Sequence, residues 1–414
     1  MAKLSEILRE RGYVYQQSSE TLEEITDGAP RTVYLGVDPT ADSLHVGNLI
    51  GLLVLRRFLE NGHRIIILTG GGTGMIGDPG GKSEERNLLD ENTVARNTKA
   101  VAAQIQRIFG DGDFIQENNA KWLKELSLLE FLRDVGKHFT INAMIKKDIV
   151  KDRLDSESAI SFTEFSYSLL QGYDFFHLNA EYGCDVQVGG SDQWSNILAG
   201  VEFVRKKSGK AVYGLTWPLI VSRSTGKKFG KSESGAVWLD SEKTSFFDFY
   251  QFFLNTDDSI VEELLLLFTM ISTQDIREKM QEHRLNPAAR AAQKLLADAV
   301  TLMVHRSEGL RDAARTTEIL FSQKSENISD DEWKRLNINV FKVAEGAAIV
   351  DVLVESGLAA SKREARTFLS DGAVTLGGTV LDENKKIEAA DFNRRYAVLR
   401  RGKRFVRALE LLQN

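Results

Sequence analysis

Two groups of residues, far apart in the chain, have the types and spacing needed to handle phosphate. His45 and Asn48 stand three apart with Gly47 between them. They open an apolar run of helical spacing, Leu49, Ile50, Leu52, Leu53, Leu55, Phe58 and Leu59, which Asn61-Gly62 closes. A strand-type run over residues 32–37 and an Asp38-Pro39-Thr40 turn come before, and Asp42 or Ser43 is a candidate helix cap. A helix leaving the carboxyl end of a strand aims free N–H groups and its positive dipole end at an anion. His45 and Asn48 share one face and can both donate hydrogen bonds, and Gly47 admits a flat group close to the backbone. That arrangement suits a nucleoside triphosphate; the plainer alternative is a strand-loop-helix with a histidine facing water. The second group lies in residues 222–235, where Lys227, Lys228, Lys231 and Ser232 surround Gly226 and Gly230. Lysines on a glycine loop can close on phosphates and stabilise charge on a leaving group, or form an ordinary basic loop.

Other candidates sit between these two. The run at residues 64–69 reads as a buried parallel strand and leads into a glycine-rich turn carrying Asp78. A carboxylate there can hold a substrate ammonium group, or simply belong to a turn. Gly72, Gly74 and Gly77 match the letters of a dinucleotide fingerprint, but Asp78-Pro79-Gly80-Gly81 breaks the helix that the fingerprint requires. Gly81-Lys82-Ser83 lacks a glycine at the Walker A spacing. Tyr167, Gln171 and Asp174 form one stripe of an aromatic helix, where they bind a small polar ligand or face water. Asp192 follows a strand at residues 184–188 and is placed for a ribose hydroxyl.

The elements that would carry these residues alternate between strands and helices. They predict an α/β fold, a doubly wound parallel sheet with its ligand at the carboxyl edge. The expected organisation is a nucleotide-binding domain over residues 1–240, with a charged helical insertion at about 85–160. A helical domain over 241–325 and a polar linker over 326–345 follow. A small α+β domain over 346–414 ends the chain, with a helix capped by Ser361 and a strand-turn-strand at 371–380.

Composition narrows the class. The chain has 414 residues, 42% hydrophobic and 27% charged, as in ordinary globular proteins, with no apolar block long enough to span a bilayer. The amino-terminal segment has no signal-peptide core, and the single cysteine, Cys184, fits a reducing cytoplasm. No Cys/His group has metal-ligand spacing, so no protein-bound metal is expected. The net charge is −6, yet residues 346–414 hold 12 Lys+Arg against 9 Asp+Glu. Seven basic residues and no acid lie between Arg394 and Arg407. An acidic body with a basic end module suggests contact with nucleic acid at that end; a solvated basic face is the alternative.

The order of these signals carries more than any one of them. His45-Val46-Gly47-Asn48 resembles the HIGH signature of class I aminoacyl-tRNA synthetases, and Lys228-Phe229-Gly230-Lys231-Ser232 resembles their KMSKS loop. The stretches at residues 34–47, 77–86, 161–175 and 188–196 resemble bacterial tyrosyl-tRNA synthetases, and 346–414 resembles their S4-type RNA-binding domain. The resemblance spans nearly the whole chain. It implies a Rossmann-like catalytic domain that joins tyrosine to its tRNA by way of tyrosyl-adenylate, with ATP and Mg2+, in a cytoplasmic homodimer. Tyr34 and Asp174 would bind the phenol hydroxyl. Asp78, Tyr167 and Gln171 would hold the ammonium group, and Gln193 would orient the amino acid. Thr40 and His45 would contact the triphosphate. Asp38, Gly47 and Ser232 would lie on the ATP side, Asn48 and Asp192 at the ribose, and Lys228 and Lys231 on the departing pyrophosphate. Lys362, Arg363, Arg366, Arg400, Arg401, Lys403 and Arg404 would meet RNA. The fourth HIGH position holds Asn48 in place of histidine. Tryptophanyl-tRNA synthetase shares the expected fold, but Tyr34, Asp174 and the S4-like tail argue against it. A non-catalytic RNA-binding protein on the same scaffold would have no need of His45, Lys228 and Lys231.

Overall fold

The computed structural model describes residues 2–78, 88–110, 112–146, 148–155, 160–220, 229–232, 235–321, 328–336, 338, 340–402 and 405–412. These residues form two compact units. The first comprises Met1–Gly230 with Glu262–Glu278, the second Lys231–Val261 with Lys279–Asn414.

The first unit is built on a six-stranded sheet. Its strands are β1 (Gln16–Gln17), β2 (Thr32–Val37), β3 (Arg64–Thr69), β4 (Ile115–Asn118), β5 (Val186–Gly190) and β6 (Tyr213–Trp217). Their spatial order is β1-β6-β5-β2-β3-β4, parallel except for β1. From β2 the chain moves outward to β3 and β4, then returns to lay β5 against the other side of β2. The gap between β2 and β5 is therefore the switch point where a doubly wound sheet opens a ligand crevice. In β3, Ile65, Ile66 and Ile67 are all buried, which helices on both faces of the sheet require. Each such side chain contributes about 1.5–3 kcal/mol of burial.

Two helices do most of the positioning. Val46–Glu60 begins with His45 as its N-cap residue. Neither Asp42 nor Ser43 caps the helix, and the Ser43 hydroxyl instead turns to the Leu44 carbonyl at 2.8 Å within a buried contact with Gln104. Phe162–Tyr182 is capped by Ser161, whose hydroxyl accepts from the Glu164 N–H, a bond of about 1 kcal/mol. Residues 262–278 join this unit because their carbonyls are held from it. Arg11 donates to Leu266 and Thr269, Tyr13 to Leu267, and Arg57 to Thr269.

The sequence stretch read as a helical insertion contains a strand. β4 pairs in parallel with β3, Ile66 opposite Ile115 through Thr69 opposite Asn118. The helix Glu91–Phe109 precedes it, with Asp90 accepting from the Thr93 N–H as its cap.

In the second unit, strands β7 (Lys231–Ser232) and β8 (Gly235–Ala236) pair with each other. The helices Phe246–Leu254 and Ala291–Phe321 pack together. A five-stranded sheet follows, in the order β11-β10-β12-β13-β9, from β9 (Val340–Val343), β10 (Val374–Leu376), β11 (Thr379–Val380), β12 (Tyr396–Arg401) and β13 (Phe405–Leu411). The stretch read as a linker thus supplies a strand, since β9 runs parallel to β13. One core of this unit joins Ile349, Leu353, Ala365, Leu369, Leu399 and Leu409. A second joins Phe247 and Leu320 to Trp333, Tyr396, Val398 and Val406. No helix of the described residues is long and apolar enough to cross a membrane.

Candidate active site

The carboxyl ends of β2, β3, β4 and β5 converge with the helix Phe162–Tyr182 on a pocket rich in acids. Asp174 lies at its floor, 3% exposed. One carboxylate oxygen accepts from the Trp122 indole at 2.7 Å and the other from the Asn119 amide at 2.9 Å. Burial pushes this carboxyl up from 3.8 to about 7; the two hydrogen bonds pull it down, and the charge of Asp38 adds to the rise. Tyr34, on β2, is 1% exposed, and its hydroxyl is a buried polar atom with no partner among the described residues. Burial first, and then the negative charge of Asp174, raises its pKa well above normal. A buried hydroxyl without a partner, beside a buried carboxylate held by two neutral donors, is suited to a ligand carrying one more hydroxyl.

A second acidic group rims the pocket. Asp38 accepts from the Tyr167 hydroxyl and from the Thr73 hydroxyl, each at 2.7 Å. Asp78 accepts from the Gln193 amide at 2.7 Å. The Tyr167 hydroxyl is pushed well up by burial, then by the charges of Asp38 and Asp78. Gln171 is half-buried one turn beyond Tyr167. Gly70 must be glycine here, since a Cβ would lie 1.9 Å from the Asp38 carboxylate. Negative charge gathered at two half-buried carboxylates, Asp38 and Asp78, favours a cationic ligand group.

The N-terminus of the helix Val46–Glu60 forms the other part of the site. Asn48 accepts from the His45 N–H at 3.0 Å, which fixes the first turn. The ring of His45 lies over Gly47 so closely that a Cβ there would stand 2.9 Å from its Cε1. Phe229 and Gly230 pack on the same spot. The Phe229 carbonyl is 3.4 Å from the position of that Cβ, and a Cβ on Gly230 would meet the Gly47 nitrogen at 2.9 Å. Gly230 has φ +93°, a conformation that favours glycine. Thr40 is exposed just beyond β2, and Asp192 follows β5 with its carboxylate turned back toward Gly190. Lys228 lies outside the described residues, as do the side chains of Lys231 and Ser232.

Sequence reasoning missed Asn119, Trp122 and Thr73. The signal was an Asn118-Asn119 pair with a tryptophan three residues after Asn119, in a stretch whose charge favoured a helical reading.

Among the expected RNA-contacting residues, Arg363 is exposed in a groove with Arg366, Thr367, Ser370 and Asn384. Lys362 pairs with Asp351 at 2.7 Å, and Arg366 reaches Glu383 at 4.0 Å. Arg400 donates twice to the Leu320 carbonyl, and Arg401 once to that of Leu358. Those two guanidiniums are thus engaged within the protein. Lys403 and Arg404 lie outside the described residues.

Residues 26–322 match the family described as tRNA synthetases class I (W and Y). The chain belongs to this class I synthetase family. Residues 334–406 match the tyrosine–tRNA ligase SYY-like C-terminal domain. The tyrosine–tRNA ligase of Staphylococcus haemolyticus (strain JCSC1435) is 46% identical over 416 residues, 97% of each chain. Within its class, then, the protein is a tyrosine–tRNA ligase. A C-terminally truncated mitochondrial tyrosyl-tRNA synthetase of Aspergillus nidulans superposes with a TM-score of 0.71 at 31% identity, covering 78% of this chain and 95% of that one. Its Coccidioides posadasii counterpart gives 0.66 at 31%, covering 76% and 92%. The Archaeoglobus fulgidus tyrosyl-tRNA synthetase complexed with L-tyrosine, at 17% identity and a TM-score of 0.54 over 75% of this chain and 99% of that one, shares the fold.

Proposed function

We propose that the acidic pocket takes L-tyrosine with its phenol between Tyr34 and Asp174. The Tyr34 hydroxyl and the Asp174 carboxylate supply the donor and the acceptor that the phenol completes. The ammonium group lies with Asp78, Tyr167 and Gln171, and Gln193 orients the amino acid through its bond to Asp78. ATP, with Mg2+ on its phosphates, lies along the N-terminus of the Val46–Glu60 helix. Thr40 and His45 meet its triphosphate, Asn48 and Asp192 its ribose, and Asp38 and Gly47 flank it.

The tyrosine carboxylate attacks the α-phosphorus, the bond to the bridging oxygen breaks, and pyrophosphate leaves. A carboxylate is already ionised, so the step needs no general base; positioning and charge stabilisation suffice. Lys228, Lys231 and Ser232 receive the charge that develops on pyrophosphate. The terminal ribose of tRNA then takes the tyrosyl group from the adenylate. Phenylalanine leaves the Tyr34 hydroxyl and Asp174 unmatched, so it is rejected without a separate editing site, a rule for which this class of enzyme is itself the standard illustration.

The enzyme acts as a homodimer in the cytoplasm. Leu128, Leu129, Leu132, Ile141, Leu154 and Phe162 are each at least half exposed within one stretch of the first unit. Apolar side chains grouped in this way suit a second copy of the chain. Lys362, Arg363, Arg366, Arg400, Arg401, Lys403 and Arg404 belong to the stretch that meets tRNA, with Arg400 and Arg401 acting from within the protein.

The observation that carries this reading is the buried, unpartnered Tyr34 hydroxyl beside an Asp174 held by two neutral donors. Amino-acid-dependent ATP–pyrophosphate exchange, run without tRNA across all twenty amino acids, tests it. Exchange with tyrosine alone supports the pocket; exchange with tryptophan overturns the pocket, and no exchange overturns the reaction.

A further inference from the structure

Arg401, expected to meet RNA, has its guanidinium held within the protein. It lies over the ring of Phe405, 3.8 Å from the centroid, and over that of Phe368 at 4.8 Å. Its Nη1 donates to the Leu358 carbonyl at 2.7 Å. Arg401 and Phe405 are also direct cross-strand partners at the end of the β12–β13 hairpin. Phe368, half-buried, packs against the core of the second unit. Phe405 is 43% exposed. Cation–π contact and a backbone bond thus hold an aromatic ring at the surface, in the most basic stretch of the chain.

We infer that Phe405, braced by Arg401, is a stacking platform for an unpaired nucleobase of the tRNA. RNA is recognised with sequence tolerance where splayed bases stack on aromatic rings and arginine planes, while nearby cations hold the backbone. Both parts are present: a fixed, exposed ring, and a basic stretch in which Arg395, Arg400, Arg401 and Arg407 are bonded within the protein while Lys403 and Arg404 immediately precede the ring in the chain. Strand pairing sets the ring, so its order is already established before RNA arrives. The inference rests on the reading of the tail as an RNA-binding module.

The test uses the full-length enzyme and tRNA that accepts tyrosine. Phe405→Leu keeps an apolar side chain and every charge. It weakens tRNA binding about tenfold, the order expected for loss of one base–aromatic stack. The slope of affinity against salt stays unchanged, because no phosphate contact is lost. Tyrosine-dependent pyrophosphate exchange without tRNA stays at the wild-type rate. Phe405→Trp retains affinity, and the added indole emission is quenched when tRNA binds. Wild-type affinity in Phe405→Leu, or an indole whose emission ignores tRNA, overturns the platform. The parent reading fails separately: if Arg363→Ala with Arg366→Ala also leaves tRNA affinity and its salt slope untouched, the tail does not bind RNA.

Discussion

Trp122 donates its indole N–H to Asp174 at 2.7 Å while its ring stacks on His177, centroids 4.1 Å apart. The carboxylate proposed to accept the phenol is thus oriented by a residue outside that proposed contact. Trp122→Phe keeps the stack and removes the bond. A hydrogen bond to a charged group is worth about 1.5–3 kcal/mol, so KM for tyrosine should rise roughly ten- to a hundredfold. KM for ATP should stay near wild type. Pyrophosphate exchange measures both.

With the phenol placed on Asp174 as proposed, the position of that group's pKa predicts that tyrosine binding depends on pH. With the carboxyl pushed up to about 7, protonation below that pH removes the charge that accepts the phenol hydrogen bond. Calorimetry should show tyrosine affinity falling as pH drops from 8 to 6, with Asp174→Asn weak and flat across the same range. The free enzyme's stability changes in the opposite sense. The folded pKa lies above the unfolded value of 3.8, so the protonated group favours folding at low pH and that contribution is lost as pH rises through about 7. Asp174→Asn should therefore gain in Tm over wild type as pH climbs from 5 to 8.

Gly47→Ala separates catalysis from stability. Alanine favours the helix by about 1 kcal/mol over glycine, yet its Cβ would press on the His45 ring at 2.9 Å. The prediction is an unchanged or slightly higher Tm, with kcat/KM for ATP falling about tenfold, an order set by moving a positioned group. Equal loss in tyrosine affinity would mean that the helix start does not serve ATP alone.

Charge substitutions test the RNA surface better than truncation. Removing residues 346–414 would strip Tyr396, Val398, Val406 and Ala408 from a core shared with Phe247 and Leu320. Arg363→Ala with Arg366→Ala leaves that core intact. tRNA charging should weaken, and the salt slope should fall by about one for each phosphate contact removed, while adenylate formation stays unchanged.

The sequence was most readable where chemistry needs rare residue types in a fixed order. His45, Gly47 and Asn48 stand together on one helix start because they are neighbours in the chain. Tyr167 and Asp174 share a helical stripe, and Ser361 caps its helix as its type suggests. Asn119 and Trp122 were hidden because they follow β4, a four-residue strand that exists by pairing with β3 and has no alternation of its own. The same holds for β9, which borrows its order from β13. The nearness of Tyr34 to Asp174 could not be derived from spacing, since parallel strand pairing and a long crossover bring them together. The internal contacts of Arg401 were hidden for the same reason, since its cross-strand partner Phe405 is set by strand pairing.

The measurement that bears most directly on the central claim is the ratio of kcat/KM for tyrosine over phenylalanine in pyrophosphate exchange, for wild type, Tyr34→Phe and Asp174→Asn. Loss of one neutral hydrogen bond, about 0.5–1.5 kcal/mol, should reduce the ratio roughly two- to tenfold in Tyr34→Phe, and loss of the charged acceptor should reduce it further in Asp174→Asn. A ratio unchanged in both variants would contradict the account, because the phenol would then be read somewhere else.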